Sequence, residues 1–273
     1  MSEITLMQKK LLEMIAKLHD YCIYYNINYY AVGGTMLGMA RHNGFIPWDD
    51  DMDIGMPRPD YERFLKQVKI DPIDGCSVES SDSNDPLFLF PYTKLYDIST
   101  TLIENSNRPL KRGIYIDIFP IDGFGDSLKE AKNHYSSIQF RKNLLTLRLM
   151  SKDKRRVWYK RLLLFLVQSI PACMINEKRL IKDIESLCRK KDYERCALVG
   201  NAVGAWGLKE VMPREYYGTP RLYKFENLSL LGVERFDEYL THVYNNWRQL
   251  PPLEKQVSHH SYKVDFYKSY LDS

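Results

Sequence analysis

A run of four aspartates within five positions constrains this chain more than any other feature of its sequence. Residues 48–54 read WDDDMDI, and Met52 and Ile54 alternate with acidic residues at the period of a β-strand. On such a strand Asp51 and Asp53 share the face opposite to the apolar side chains, with Cα atoms about 6.5 to 7 Å apart. Two carboxylates this close on a rigid backbone repel each other unless a cation lies between them. The run therefore predicts a cation site on a strand.

Mg²⁺ is the cation that best suits this pattern, with Mn²⁺ as the alternative. Mg²⁺ prefers carboxylate oxygens and leaves coordination positions open for substrate phosphates. The other interpretation of an aspartate cluster that follows Pro47 is a solvated turn or a helix N-cap.

A second strand supports the cation site. Residues 114–119 read IYIDIF, so isoleucines alternate with the other residues and Asp117 lies on the face away from them. Aspartate is disfavoured in mid-strand and is expected there with a partner or a function. If the two strands are neighbours, Asp117 is a third carboxylate, and three carboxylates with Mg²⁺ are typical of phosphoryl-transfer sites. A solvent-facing aspartate on an edge strand is the alternative.

A glycine pair precedes these carboxylates. Gly33 and Gly34 follow a strand predicted at residues 29–32, and Thr35 is predicted to cap a short helix that runs to about His42. Glycine lets a ligand approach the backbone, and a helix N-terminus offers free N–H groups to phosphate. The glycine pair supports a phosphate-binding site because it lies upstream of the aspartates in the sequence.

The chain divides into an α/β front half and a mainly helical second half. Apolar residues at helical spacing predict a helix over residues 4–25. A strand at 113–119 is predicted to end at Pro120, and charged helical segments then run to about residue 191. The remaining predicted strands lie at residues 51–56, 87–96 and 100–104.

Composition narrows the class of protein. The 39 Lys and Arg against 35 Asp and Glu give a net charge of +4, which is too even a balance to indicate a nucleic-acid partner. The 44% of hydrophobic residues is ordinary for a globular protein. The five cysteines form no C-x-x-C pair, and residues 1–10 lack the apolar run of a secretory signal. Free thiols and the absence of such a signal predict a cytoplasmic protein.

These motifs together resemble the nucleotidyltransferase superfamily and, within it, the LicD family. Residues 34–54, GTMLGMARHNGFIPWDDDMDI, are similar to the family signature, and residues 116–122, IDIFPID, resemble its second block. Residues 250–260, LPPLEKQVSHH, are similar to its C-terminal block. The resemblance covers about residues 10–260.

The resemblance implies an α+β fold, in which a nucleotidyltransferase-like mixed sheet is flanked by helices and followed by a mainly helical C-terminal half. Residues 1–125 would form the catalytic core, and residues 126–273 would complete the site and the acceptor pocket. The implied enzyme moves a phospho-alcohol group, phosphocholine first, from a CDP-activated donor to a sugar. That sugar would belong to a cell-surface glycan such as capsule, teichoic acid or lipopolysaccharide.

The resemblance also implies roles for particular residues. Asp51 and Asp53 would hold Mg²⁺ on the donor diphosphate, and Asp117 would complete the metal site or act as a base toward the acceptor hydroxyl. Arg41 and Lys94 are candidates to neutralise the diphosphate, with ordinary surface charges as the alternative. The donor-binding set is Gly33, Gly34, Thr35, Arg41 and Lys94. His259 and His260 are either solvated or part of the site lining.

Residues 152–175 combine a basic run with an apolar run that is too short to cross a bilayer and is interrupted by Pro171. One interpretation is a helix in the membrane interface with its basic residues on anionic lipid, which suits a lipid-linked acceptor. The other is a buried core helix with a solvated basic end.

Two further functions fit the same residues. A nucleotidyltransferase that adds NMP from an NTP to a small molecule or sugar uses the same three carboxylates. The alternative of another class is a non-catalytic module that binds a glycan or a partner protein. The intact Asp51, Asp53 and Asp117 argue against a non-catalytic module, because loss of a metal ligand is the usual mark of a dead site.

Overall fold

The computed structural model of the protein describes residues 4–104, 110–150, 158–171, 175–258 and 262–272. Within these ranges the chain forms eight α-helices and twelve β-strands. The helices are α1 (Leu6–Tyr24), α2 (Gly33–His42), α3 (Arg58–Ile70), α4 (Leu128–Leu149), α5 (Trp158–Ser169), α6 (Glu177–Cys188), α7 (Arg214–Tyr217) and α8 (Phe236–Tyr244). The strands are β1 (Tyr30–Ala31), β2 (Asp53–Pro57), β3 (Cys76–Glu79), β4 (Thr93–Asp97), β5 (Thr101–Glu104), β6 (Lys111–Arg112), β7 (Tyr115–Gly125), β8 (Leu198–Gly200), β9 (Val211–Pro213), β10 (Arg221–Phe225), β11 (Leu228–Gly232) and β12 (Tyr262–Asp265).

The main sheet mixes parallel and antiparallel strands. Its order is β10-β11-β1-β2-β7-β4-β3, and β8 and β9 extend it from the C-terminal end of β7. β1 pairs in parallel with β11 and antiparallel with β2, whereas β2 and β7 run parallel to each other. A smaller antiparallel sheet has the order β12-β5-β6. A mixed sheet accompanied by helices confirms the predicted α+β class.

Helix α1 is the amphipathic helix that the apolar spacing predicts. Its residues Leu11, Ile15 and Cys22 are fully buried in the main core, where each apolar side chain contributes about 1.5–3 kcal/mol. Thr5 begins the helix with a capping box: its hydroxyl accepts from the backbone N–H of Gln8, and the Gln8 side chain accepts from the backbone N–H of Thr5.

A second core lies between the sheet and the helices of the second half. Ile138 and Leu145 of α4 pack with Ile181 and Ile184 of α6, and Phe124 of β7 joins them. All five side chains are buried. This cluster attaches the helical second half to the C-terminal end of β7.

A buried ion-pair network fixes the same junction. Arg58, at the start of α3, donates from Nε and Nη2 to the Asp122 carboxylate at 2.6 and 2.8 Å, and from Nη1 to Glu185 of α6 at 2.7 Å. Burial alone would lower the pKa of Arg58, but the carboxylates of Asp122 and Glu185 raise it above its usual value. The network therefore links β7, α3 and α6 through one guanidinium group.

Two local predictions are wrong. Thr35 does not cap α2, which begins at Gly33 after Val32; the Thr35 hydroxyl instead accepts a hydrogen bond from the backbone N–H of Asp53 at 2.8 Å. Pro120 does not end β7, which continues to Gly125. The proline is tolerated because pairing with β4 stops at Ile118 and pairing with β8 starts only at Asp122, so Pro120 lies between the two ladders.

Helix α5 falls in the segment for which membrane contact is predicted. Its Leu164 is buried, whereas Leu162, Phe165 and Leu166 are exposed. Residues 152–157, which carry most of the basic run, lie outside the described ranges, and membrane contact stays a prediction. Among the helices that the structure describes, none is both long and apolar enough to span a bilayer.

The described cysteines are Cys22, Cys76, Cys188 and Cys196, and all four are free thiols, as predicted. Cys173 lies outside the described residues. The boundary predicted near residue 125 and the cytoplasmic location stay predictions.

Candidate active site

The three predicted carboxylates line one cavity of about 330 Å³. Asp53 of β2 and Asp117 of β7 lie directly opposite each other in the parallel ladder, and Asp51 lies in the segment that leads into β2. Met52 and Ile54, which alternate with these aspartates, are buried in the core. Strand pairing therefore brings together acidic residues that are 64 positions apart in the chain.

The backbone around the carboxylates is held by long-range hydrogen bonds. The Asp53 carbonyl accepts from the N–H of Val32 at 3.1 Å, and the N–H of Asp117 donates to the Met52 carbonyl at 3.0 Å. The buried side chain of Gln8 donates to the Asp49 carbonyl at 2.8 Å. Helix α1 thus fixes the loop that carries the aspartates.

The glycine pair allows the aspartates to approach the start of α2. A Cβ atom at Gly33 would lie 3.1 Å from Oδ2 of Asp53, and one at Gly34 would lie 2.9 Å from Oδ2 of Asp49. Gly33 also has a φ of +55°, a conformation that favours glycine. Its N–H donates to the Tyr239 hydroxyl at 3.0 Å.

The electrostatics of the cavity favour a cation. Burial raises the pKa of Asp53 well above its usual value, and the neighbouring charges of Asp51 and Asp117 raise it further. No three acidic, histidine or cysteine side chains of the described residues converge closely enough to enclose a metal ion. The donor set fits a divalent ion held by Asp51 and Asp53, because Mg²⁺ commonly takes one or two carboxylates and leaves its other positions to substrate oxygens.

The two predicted diphosphate ligands lie in different surroundings. Lys94 is buried, and its Nζ lies 2.7 Å from Oδ1 of Asp117 and 3.4 Å from the centre of the Tyr115 ring. Arg41 donates from Nη1 to the Trp247 carbonyl at 3.0 Å. Direct contact of either residue with a donor stays a prediction.

Seven residues of the second half line the same cavity, and the four with polar or aromatic side chains carry no signal that sequence inspection detects. Lys142 comes from α4, and burial lowers the pKa of its ammonium group. Asn201, Trp206 and Glu210 come from the segment between β8 and β9. Burial raises the pKa of Glu210 to about 7, against the opposing effects of the Trp206 N–H and the Lys142 charge. Only the topology places these residues beside the aspartates.

Asp50 has a different environment. Its Oδ2 accepts hydrogen bonds from the Tyr262 hydroxyl at 2.5 Å and from the Ser258 hydroxyl at 2.8 Å. Asp50 thus attaches the C-terminal segment to the aspartate loop. His259 and His260 lie outside the described residues.

A larger cavity of about 820 Å³ lies beyond the C-terminal end of β2, where Tyr30, Pro57 and Arg214 contribute to its lining. The three aspartates are not part of that lining. The smaller cavity is therefore the candidate active site.

A mixed sheet with aspartates on two neighbouring parallel strands, beside the N-terminus of a helix, is the arrangement of a nucleotidyltransferase-type domain. Residues 26–158 match the sequence model of the LicD/FKTN/FKRP nucleotidyltransferase domain. The chain thus contains a LicD-type nucleotidyltransferase domain.

Two proteins illustrate what the chain is similar to. The lipopolysaccharide cholinephosphotransferase LicD of Haemophilus influenzae is 27% identical over 270 residues, which cover 95% of this chain and 97% of that protein. An uncharacterised protein of Rickettsia typhi is 39% identical over 62 residues, 22% of this chain and 20% of its own length. The similarity to the Haemophilus protein thus extends over both halves of the chain.

Proposed function

We propose that this protein transfers phosphocholine from CDP-choline to a sugar of a cell-surface glycan, and that lipopolysaccharide is the first acceptor to test. Its LicD-type domain and its similarity to a cholinephosphotransferase support a transferase of phosphate-containing groups. The full-length similarity to a lipopolysaccharide cholinephosphotransferase supports the transferred group and the acceptor. The observation that carries the proposal is that Asp51, Asp53 and Asp117 line one cavity of this fold, with Asp53 and Asp117 paired across neighbouring strands.

Asp51 and Asp53 are the residues that would hold the metal. Mg²⁺, when bound, neutralises the oxygens of the donor diphosphate. The hydrogen bond from the Asp53 N–H to Thr35 and the pairing of β2 with β7 keep these carboxylates in place before substrate arrives.

Asp117 is the candidate base. The ammonium group of Lys94, 2.7 Å away, holds the Asp117 carboxylate in one orientation. The carboxylate can then accept the proton of the acceptor hydroxyl as that oxygen attacks.

The bonds change at the choline-bearing phosphorus. The acceptor oxygen forms a bond to this phosphorus, and the bond from the phosphorus to the bridging oxygen of the diphosphate breaks. The electron pair remains on that oxygen, and CMP leaves. The proton of the acceptor passes to Asp117, so the products are CMP and a glycan that carries phosphocholine.

A transfer assay tests the proposal. Purified protein is incubated with CDP-choline and lipopolysaccharide that lacks phosphocholine, with Mg²⁺ or with EDTA, and the glycan is analysed by mass spectrometry. We expect the acceptor to gain phosphocholine, CMP to accumulate, and both products to disappear with EDTA or with Asp53→Asn. Glu215→Gln, a change at an exposed carboxylate, is the matched control.

The same assay separates the competing activities. Transfer of NMP from CTP or ATP with release of pyrophosphate, and none from CDP-choline, would refute the proposal in favour of a nucleotidyltransferase. Transfer from CDP-glycerol or CDP-ribitol alone would retain the reaction and change the transferred group. Capsule and teichoic acid fragments serve as acceptors in parallel reactions.

A further inference from the structure

The segment between β8 and β9 brings opposite charges together at one point of the active-site cavity. Lys142 donates from Nζ to the Gly204 carbonyl. The Glu210 carboxylate occupies the space beside Gly204 that a Cβ atom would need. An ammonium group and a carboxylate therefore lie beside the same glycine, and both line the cavity that contains Asp51 and Asp53.

An aromatic pair, Trp206 and Tyr244, lies at this part of the site, and Trp206 lines the cavity together with Glu210. Glu210 accepts a hydrogen bond from the backbone N–H of Trp206 at 2.8 Å, which fixes it next to that residue. Trp206 lines the cavity and is 47% exposed, and its ring packs against the Tyr244 ring in a T-shaped arrangement with 4.8 Å between centroids. The Tyr244 hydroxyl in turn lies near Gly33, at the start of α2.

The charged side chains that line the cavity are mainly acidic, so the cavity attracts a cation to Glu210. Four acidic residues line the cavity, namely Asp51, Asp53, Asp117 and Glu210, and Lys142 is the basic residue in the same lining. The acidic side chains therefore outnumber the basic one. An indole and a carboxylate in the lining of one cavity can together recognise a cation that has no hydrogen to donate, because the ring face and the negative charge both attract it. A quaternary ammonium ion is such a cation.

We infer that Trp206, Tyr244, Glu210 and Lys142 form a subsite for the phosphocholine zwitterion. Glu210 and the two aromatic rings bind the trimethylammonium group, and Lys142 binds the phosphate. Only an ethylene unit separates the two charges of phosphocholine, so its two subsites must be adjacent, as the groups around Gly204 are. This inference rests on the proposed function, because it explains why choline would be the alcohol that is transferred.

Calorimetric titration with phosphocholine, CDP-choline, CDP-glycerol and CDP tests the subsite. The variants are Trp206→Leu, which removes the ring but keeps an apolar side chain, and Glu210→Gln, which removes only the charge. We expect Trp206→Leu to weaken the binding of phosphocholine and CDP-choline by roughly 5- to 30-fold, the range of a desolvated cation–π contact. Glu210→Gln should also weaken the binding of both ligands, because it removes the negative charge that attracts the ammonium group. Affinity for CDP and CDP-glycerol should change by less than about 2-fold, since neither carries an ammonium group.

Two controls define the background. Tyr24→Leu removes an exposed aromatic ring on α1, and Glu215→Gln removes an exposed carboxylate; neither should alter any of the four affinities. Urea denaturation of each variant verifies that it is folded.

Other outcomes overturn the inference. Equal losses for CDP and CDP-choline in Trp206→Leu would show that the indole stacks on the cytosine base. Unchanged phosphocholine affinity in both variants would exclude the subsite, as would a wild-type protein that binds neither phosphocholine nor CDP-choline. A wild-type protein that binds phosphocholine through Glu210 but transfers nothing from CDP-choline would refute the proposed function and leave the subsite standing.

Discussion

Glu210 should destabilise the folded protein at neutral pH, and Glu210→Gln should relieve this effect. Burial raises the pKa of Glu210 from its ordinary value of 4.5 to about 7. A carboxyl group with a raised pKa binds its proton more tightly in the folded than in the unfolded state. The folded state therefore loses stability as the pH rises from about 4.5 to about 7, and the loss is complete above that range.

The size of the effect follows from the pKa. At about 1.4 kcal/mol per pH unit, a rise from 4.5 to about 7 corresponds to a free energy of unfolding that is lower by about 3 kcal/mol at pH 8. At pH 5 the loss is below about 1 kcal/mol, because most of the change in protonation occurs at higher pH. The glutamine side chain carries no charge and retains an oxygen that can accept from the Trp206 N–H.

Urea denaturation at pH 5 and pH 8, with EDTA to exclude divalent ions, measures this difference. We expect Glu210→Gln to gain about 3 kcal/mol over the wild type at pH 8 and less than about 1 kcal/mol at pH 5. Glu215→Gln, which removes an exposed partner of Arg235, should change stability by less than about 1 kcal/mol at both pH values. An equal gain at both pH values, or none at pH 8, would refute the reasoning.

Three further predictions concern the core, the metal site and the membrane. Asp53→Asn should reduce phosphocholine transfer by more than about 100-fold, beyond the range for residues that only support a metal ligand, and should abolish the rise in melting temperature with Mg²⁺; substantial activity would contradict the metal assignment. Asp122→Asn should lower the free energy of unfolding in urea by about 3–5 kcal/mol, because it leaves Arg58 buried without its bidentate partner; a loss below about 1 kcal/mol would contradict the network. If residues 152–175 contact membrane, the protein should cosediment with anionic vesicles at low salt and dissociate at high salt; no binding at low salt would exclude that contact.

The local sequence predicted the elements that form the floor of the site. The alternation around Asp51 and Asp53 predicted β2 and its buried face, although the strand begins only at Asp53 and Asp51 precedes it. The same reasoning identified Asp117 on β7 as a third carboxylate of the cavity. The spacing of apolar residues predicted α1. These predictions succeeded because the period of a buried face depends only on the backbone geometry of a single element.

Where predictions from local signals failed, a tertiary contact had replaced the local one. Thr35 has the residue type of a helix cap, yet its hydroxyl binds the N–H of Asp53, which lies 18 positions later. Pro120 resembles a strand terminator, but the ladders on either side of it make its missing N–H tolerable. Neither outcome depends on the residues that immediately surround Thr35 or Pro120.

The sequence by itself determined the LicD-type motif and the aspartates, because three short segments carry them. Only the tertiary structure decided what faces those aspartates. Lys142 comes from a long charged helix, and Trp206 and Glu210 come from an irregular segment with no periodic pattern. They meet the active site because β8 pairs with the end of β7 and because α4 packs beside it. Their shared position results from strand pairing and burial over long sequence separations, which no local period encodes.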